Sequence, residues 1–298
     1  MKDITKQAFN RVNIVGKLLD LVVREGKLSD GRAYKSANMT VRVTQKYGGR
    51  EETSEIPISM FASRYTLAGK PNPGYEQIEV LEGLNTAQNV GIDAASIVRI
   101  NSGTLRESNF VARSGQLVNT WQLNTSFAGP VKSMPECATF DVDVFIMDMK
   151  PEEDREGDST GRLIIKGGIV QYNGNLDVVE FIVENPEAVD YIERHYNNND
   201  TVNIKGRVRV TVIEERASGG GSWGEDIPET TTRTVRELIV TKGDDEPREE
   251  EFAYDPVEIK KAFNVRKAKI EQLQVNAQNG GQKVAEKSST STSKYNWE

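Results

Sequence analysis

The sequence predicts an all-β protein made of two tandem five-stranded barrels, followed by a C-terminal amphipathic helix and a disordered tail. Three observations indicate this fold class. Apolar residues recur with a period of two in short runs bounded by turn residues, which is typical of β-strands. The same order of strands and connections occurs twice along the 298 residues. A glycine also lies inside the first strand, where the strand of a small barrel must bend.

The first block, residues 1–132, contains five candidate strands. They lie near residues 10–23, 33–47, 53–65, 96–106 and 117–128. Gly48 and Gly49 mark a hairpin turn between the second and third strands. A long connection, residues 67–95, separates the third strand from the fourth. Gly16 would let the first strand bend and take part in both halves of a closed sheet.

The second block, residues 137–243, follows a short linker at 132–136 and repeats this order. Its strands lie near residues 138–149, 161–172, 175–184, 201–214 and 230–241. A helix is predicted over 185–196, between the third and fourth strands, with Asn185 as its N-cap. Five short strands with a long connection or helix after the third are the order of an OB-fold, so two tandem OB-fold barrels are expected.

The composition changes after residue 243. Residues 244–251 form an acidic run, and residues 255–274 read as an amphipathic helix with a proline in the first turn. We group 244–275 as an acidic segment with a helix. Residues 276–298 are rich in Asn, Gln, Gly, Ser, Thr and Lys and are expected to be disordered.

The outward positions of the first barrel are polar and basic, with aromatic residues among them. Alternation places the following residues on this face: Arg11, Lys17, Tyr34, Arg42, Lys46, Phe61 and Tyr65. Rings among cations suit unpaired bases, which stack on the rings while phosphates contact Lys and Arg. Phe61 could equally pack beneath the 67–95 connection. Trp121 is expected in the core.

In the second barrel, alternation predicts an outward basic stripe of Lys205, Arg207 and Arg209. Trp223 follows in a Gly-rich loop between the fourth and fifth strands, where OB-folds often close over a nucleic-acid strand. The alternative is a tryptophan that packs against its own barrel. We include these four residues among the candidate DNA-binding residues.

Four segments resemble the single-stranded DNA-binding protein family of bacteria and their phages. "NRVNIVGKLLD" (10–20) resembles the first strand of that family and "SEIPISMFASRYT" (54–66) its third. "IVRINSGTLRE" (97–107) and "TVNIKGRVRVTVIEE" (201–215) both resemble its fourth strand. The resemblance implies an OB-fold that binds single-stranded DNA in replication or recombination. It also implies protein partners that dock on the C-terminal tail, although here the acidic run precedes the last helix.

Charge and composition limit the function classes. The net charge is −7, but residues 1–132 carry 17 Lys and Arg against 12 Asp and Glu, so the first block is positive. His195 is the only histidine and Cys137 the only cysteine. The sequence therefore offers no histidine-based triad, no internal disulfide and no cysteine zinc site. We expect neither an enzyme nor a cofactor or metal. A cytoplasmic setting without membrane contact is expected, in the host cytoplasm if the protein is phage-encoded.

Two functions from different classes remain open at this point. The first is a largely sequence-independent single-stranded DNA-binding protein, with RNA as a further possible ligand. The second is a protein-interaction or virion-assembly scaffold built from OB barrels, which the overall acidity favours.

Overall fold

A computed structural model describes residues 6–112, 114–154, 156–217, 229–249 and 251–289. It confirms the all-β fold class, and all ten predicted strands are present. The first barrel consists of β1 (Asn10–Lys27), β2 (Ala33–Tyr47), β3 (Arg50–Ser63), β4 (Ile97–Val111) and β5 (Leu117–Thr125). A two-residue strand, β6 (Gly129–Pro130), pairs with β4. The second barrel consists of β7 (Cys137–Glu153), β8 (Ser159–Val170), β9 (Leu176–Val183), β10 (Thr201–Ala217) and β11 (Glu229–Gly243).

Both barrels close with the same pattern of strand pairing. In the first barrel, antiparallel pairs join β1 to β2, β2 to β3, β5 to β4 and β4 to β1, and a parallel pair joins β3 to β5. In the second barrel, β7, β8, β9, β11 and β10 repeat this ring, with the parallel pair between β9 and β11. This identical order supports an internal duplication of an OB-fold.

Gly16 lies where β1 changes partners. The first half of β1, through Lys17, pairs with β4, and the half from Lys17 onward pairs with β2. A Cβ atom at Gly16 would lie 2.2 Å from the carbonyl oxygen of Arg42 and 2.9 Å from a methyl group of Val41. Glycine is therefore needed at this corner because two strands approach its backbone closely.

The linker is not the only connection between the barrels. Residues Asn10–Val15 of β1 pair with Cys137–Val142 of β7, so hydrogen bonds join both barrels in one continuous sheet. A second contact lies at the base of the hairpin formed by β10 and β11, where the Val210 N–H donates to Ser54 Oγ at 3.2 Å. Contacts at separate places along the chain therefore help to fix the barrels relative to each other.

Each barrel encloses its own set of inward-facing apolar side chains, as the period of two predicts. Val12, Ile14, Val41 and Ile56 are fully buried in the first barrel. In the second barrel, Phe140 and Phe181 pack with ring centroids 5.6 Å apart. Trp121 is buried, so its predicted place in the core is confirmed.

Two helices follow the third strand of the first barrel, α1 (Pro73–Glu82) and α2 (Ala87–Val90). A buried lysine ties α1 to the barrel: Lys35 Nζ lies 2.8 Å from Glu82 and 3.5 Å from Glu79, both on α1, and 3.0 Å from Glu25 on β1. The hydrogen bond to Glu82 outweighs the effect of burial and raises the pKa of Lys35. Lys35 therefore stays charged, which is possible in a buried position because carboxylates surround it.

The predicted helix in the second barrel is α3 (Pro186–His195), and Asn185 caps it by accepting a hydrogen bond from the Glu187 N–H. The long C-terminal helix is α4 (Pro256–Ser289). It extends beyond residue 276, where the sequence predicts disorder; these residues include Ala, Gln, Lys and Glu, which favour helix even without an apolar face. Residues 290–298 of the predicted tail lie outside the described residues.

The acidic segment before α4 is held on the second barrel. Arg248 forms two hydrogen bonds, at 2.6 and 2.8 Å, with the buried carboxylate of Asp143 on β7. The Tyr254 ring is buried, and its hydroxyl donates to the Lys6 carbonyl at 3.2 Å, so this segment also holds the N-terminal residues. The single arginine of the acidic run thus supplies the anchor that its charge pattern did not predict.

Candidate nucleic-acid interface

An aromatic pair lies on the outer face of the first barrel. The rings of Tyr34 on β2 and Phe61 on β3 have centroids 5.1 Å apart and are tilted by 34°. Phe61 is 54% exposed, so it does not pack beneath the 67–95 connection. The Tyr34 ring lies against Gly26 of β1, where a Cβ atom would approach the ring to 2.7 Å. The pair is therefore a supported aromatic surface that is open on one side.

Tyr65 extends this aromatic surface beyond the end of β3. Its ring is 43% exposed, and the guanidinium carbon of Arg64 lies 5.8 Å from the ring centroid. The Tyr65 carbonyl accepts hydrogen bonds from Ser63 Oγ at 2.8 Å and from Arg32 at 3.1 Å. The backbone beside Tyr65 is thus fixed while its ring remains accessible.

A polar groove of about 410 Å³ begins at Phe61 and crosses β3, β5 and β4. Strand register sets its floor: Asn38, Ser59, Asn124 and Thr104 lie side by side on β2, β3, β5 and β4. The groove is lined by Ser59, Met60, Phe61, Ser102, Thr104, Gln122, Asn124, Thr125 and Ser126. Amides and hydroxyls dominate this lining, so it offers hydrogen bonds without a fixed charge.

The cations predicted for this barrel differ in their surroundings. Arg42 contacts Glu55 at 2.6 Å, and Lys17 Nζ donates to the Ile92 carbonyl at 2.9 Å. Lys46 is exposed and lies opposite Glu51 in the strand pairing. Arg11 is exposed, with its guanidinium 5.5 Å from the Phe9 ring centroid. Only Arg11 and Lys46 of these four therefore keep an open surface position in the described structure.

The predicted outward basic stripe of the second barrel is wrong for its two arginines. Arg207 is 8% exposed and binds Glu52 of the first barrel at 2.5 Å and Glu184 at 3.0 Å, and the Tyr47 ring centroid lies 4.3 Å from its guanidinium. Arg209 binds Glu184 and, at 2.5 Å, Glu237. The outward face of β10 meets the first barrel here, so these side chains form an ion-pair cluster between the barrels.

Two second-barrel candidates remain, Lys205 and Trp223. Lys205 is half exposed and contacts Asp141 at 2.7 Å. Trp223 lies outside the described residues. The second barrel therefore shows no unpaired candidate cation within the part of the predicted stripe that the structure describes.

The ion-pair cluster lowers the pKa of one of its acids, Glu237. Burial alone would raise the pKa of Glu237, but hydrogen bonds from Arg162 and Arg209 outweigh it and hold the pKa below its ordinary value. Glu237 therefore remains ionised at neutral pH and matches the charge of the arginines. This neutralisation keeps the cluster from attracting phosphates.

Groove residues from β5 were absent from the sequence prediction. The alternation that places Arg42 and Phe61 outward also places Asn38 and Ser59 outward, and the same alternation around the buried Trp121 and Leu123 places Gln122 and Asn124 outward. Alternation therefore contains the signal for these residues, but it does not distinguish neutral amides that line a groove from other outward polar residues. Arg236, on β11, lines a neighbouring hollow of about 230 Å³ and was missed because it lies in the other barrel.

The described residues contain no group of three or more His, Cys, Asp or Glu side chains arranged to hold a metal ion. None of the described helices combines the length and apolar character that a membrane span requires. Cys137 is partly buried, and burial raises the pKa of its thiol. His195 is exposed and stacks on Tyr191, with centroids 4.2 Å apart.

Solved structures of the single-stranded DNA-binding protein from Thermus aquaticus are similar in fold to this chain. The wild-type protein has 11% identity and a TM-score of 0.51, over 85% of this chain and 99% of that chain. A deletion mutant has 12% identity and a TM-score of 0.51, over 84% and 98%. The resemblance to single-stranded DNA-binding proteins is thereby confirmed at the level of the OB-fold.

Comparison of the sequence gives the family. No curated protein matches this chain. The model of the YorF family matches residues 8–276, which include both barrels and the first part of α4. A match of this length shows that the chain belongs to the YorF family.

Proposed function

We propose that this protein binds single-stranded DNA, largely independently of sequence, across the outer face of its first barrel. The observation that carries this proposal is the open Tyr34–Phe61 pair at the mouth of the polar groove. Stacking on exposed rings suits every base, because each base has a π-face. Replication or recombination, in a phage or its host, is the setting in which such a protein would meet its ligand.

The groove supports single strands over duplex. Its floor is a barrel surface lined by neutral side chains, and the rings beside it are accessible only from one side. Bases can stack on those rings only when they are unpaired, whereas the bases of a duplex are already stacked on each other. The positive balance of residues 1–132 further favours this barrel as the main DNA-binding surface, because it attracts a polyanion.

Fluorescence anisotropy of labelled oligonucleotides tests this proposal. The wild-type protein should bind labelled oligo(dT) and oligo(dA) and should bind a labelled duplex of equal length more weakly. Phe61→Ala should weaken binding of single strands by about 1–3 kcal/mol, the value typical of one base stacked on a ring. An RNA oligonucleotide of the same sequence distinguishes DNA from RNA preference.

Phe252→Ala is the matched control. Phe252 is also a largely exposed phenylalanine, 57% accessible, but it lies just before α4 and outside the groove. It should bind oligo(dT) as the wild type does. Equal losses in both variants, or equal affinity of the wild type for single strands and duplex, would contradict the proposal.

One observation favours a scaffold function as a second candidate. Along α4, Val257, Val265, Leu273 and Val275 are exposed although they are apolar. Exposed apolar residues on a helix can dock protein partners, and replication or recombination proteins are the partners expected under the main proposal. A protein that binds no oligonucleotide, but loses a partner when these residues are changed to Ser, would support the scaffold instead.

A further inference from the structure

The hairpin of β10 and β11 is longer than the second barrel needs. Pairing with β7 uses β10 only from Thr201 to Arg207, and pairing with β9 uses Ile239 and Val240 of β11. The two strands nevertheless pair with each other as far as Ala217 and Glu229. The part beyond the barrel, residues 208–217 and 229–238, is a two-stranded ribbon, which we call the β10–β11 ribbon.

The β10–β11 ribbon starts from a fixed contact with the first barrel. The Val210 N–H donates to Ser54 Oγ, and Arg207 binds Glu52. Ser54 and Glu52 both lie on β3. Arg236 lies directly opposite Val210 in the pairing of β10 and β11, so its side chain leaves the same face of the ribbon. This face is opposite to the one that carries Arg209 and Glu237, so the ribbon has first-barrel residues near both of its faces.

Arg236 lines a hollow between the ribbon and the first barrel, together with Asp20, Val22, Asn38, Thr40, Ser59 and Gln122 among others. The hollow and the aromatic groove share Ser59 and Gln122, so they are adjacent. A chain that lies in the groove with one end at Phe61 can therefore continue beneath the ribbon past Arg236. The Tyr34–Phe61 pair would mark one end of this path and Arg236 the other.

The charge of Arg236 is available for a ligand. Unlike Arg42, Arg207 and Arg209, its exposed guanidinium forms no ion pair with the residues that the structure describes. Asp20 also lines the hollow, and its carboxylate forms no ion pair with Arg236. A phosphate is attracted toward the arginine and repelled by the carboxylate, which instead accepts hydrogen bonds from base amino groups.

We propose that the β10–β11 ribbon of the second barrel is the second wall of the first barrel's groove, and that Arg236 binds the backbone of the single strand held there. This inference rests on the proposed function and adds how the second barrel takes part. The second barrel then contributes its hairpin rather than the outward face of its own sheet. The bases point toward the floor of the first barrel and the phosphates toward the ribbon.

Arg236→Gln, in the full chain, tests this inference through the salt dependence of oligo(dT) binding. Loss of one phosphate contact should lower the slope of log affinity against log salt by about 0.7. If both lines meet at 1 M salt, the same slope gives about a fivefold weaker affinity at 0.1 M salt. Arg233→Gln is the matched control, because Arg233 is exposed on the same strand but leaves the opposite face of the ribbon.

The outcomes separate this inference from the proposed function. A reduced slope for Arg236→Gln alone supports the ribbon as a wall of the groove. Unchanged binding by Arg236→Gln, with a loss for Phe61→Ala, overturns the role of the ribbon and leaves single-strand binding intact. Equal changes in Arg236→Gln and Arg233→Gln overturn it as well, because they indicate only a general charge effect. A wild-type protein that binds no oligonucleotide overturns both proposals.

Discussion

Glu52→Gln should destabilise the protein by breaking the contact between its barrels. Glu52 on β3 accepts a hydrogen bond from the nearly buried Arg207 on β10 at 2.5 Å. Removing one partner of a buried ion pair commonly costs about 3–5 kcal/mol, because the other charge remains in a poorly solvated site. Gln still offers an oxygen acceptor to Arg207, which also keeps Glu184 at 3.0 Å and the Tyr47 ring, so we expect a smaller loss, at most about 1.5–3 kcal/mol, the value of one hydrogen bond to a charged group.

Urea unfolding followed by circular dichroism measures this loss. Glu51→Gln is the control, since it makes the same chemical change one position earlier at an exposed residue opposite Lys46. The control should stay within about 0.5 kcal/mol of the wild type, as surface substitutions usually do. If both variants unfold at the same urea concentration, the ion-pair cluster does not stabilise the arrangement of the barrels and our reading of Arg207 is refuted.

Two further changes probe the fold itself. Gly16→Ala should destabilise the first barrel strongly, because the added methyl group would lie 2.2 Å from the Arg42 carbonyl oxygen; thermal unfolding should start well below that of Gly31→Ala, where a Cβ atom meets no neighbour and only the turn is strained. The lowered pKa of Glu237 should make the free energy of unfolding depend on pH in the acid range. The unfolded carboxyl titrates near 4.5, so its contribution is complete above that pH and is lost as the pH falls through the lower folded value. Urea unfolding at several pH values should show that the free energy of unfolding falls less on acidification in Glu237→Gln than in the wild type.

Strand positions could be predicted from the sequence because their signals are local. Alternating apolar residues predict the strands, and Gly48 with Gly49 predicts the hairpin between β2 and β3; β2 begins and ends at the predicted residues 33 and 47. The long connection after each third strand gave the OB-fold order. α4 was underestimated because its last residues have helix propensity without an apolar face, and a rule based on apolar periodicity does not detect such residues.

Alternation predicted which side chains point outward, but it could not predict what lies outside. Arg207 and Glu52 are 155 residues apart, and they meet only because β1 also pairs with β7 and brings β3 against β10. Lys35 is a second example, because it is a buried lysine whose carboxylate partners come from two other elements, β1 and α1. Whether a lysine or arginine is free therefore depends on contacts between distant segments, which no local pattern contains.

The contacts of these cations change how a single strand would be held. Most cations predicted to bind DNA are engaged with carboxylates or, for Lys17, with a backbone carbonyl, whereas the aromatic rings of Phe61 and Tyr65 remain exposed. Neutral amides and hydroxyls line the groove between the rings and Arg236. Stacking and neutral hydrogen bonds would then supply most of the affinity, with few phosphates neutralised. A net acidic chain can bind DNA in this way, because stacking and neutral hydrogen bonds depend little on the total charge of the protein.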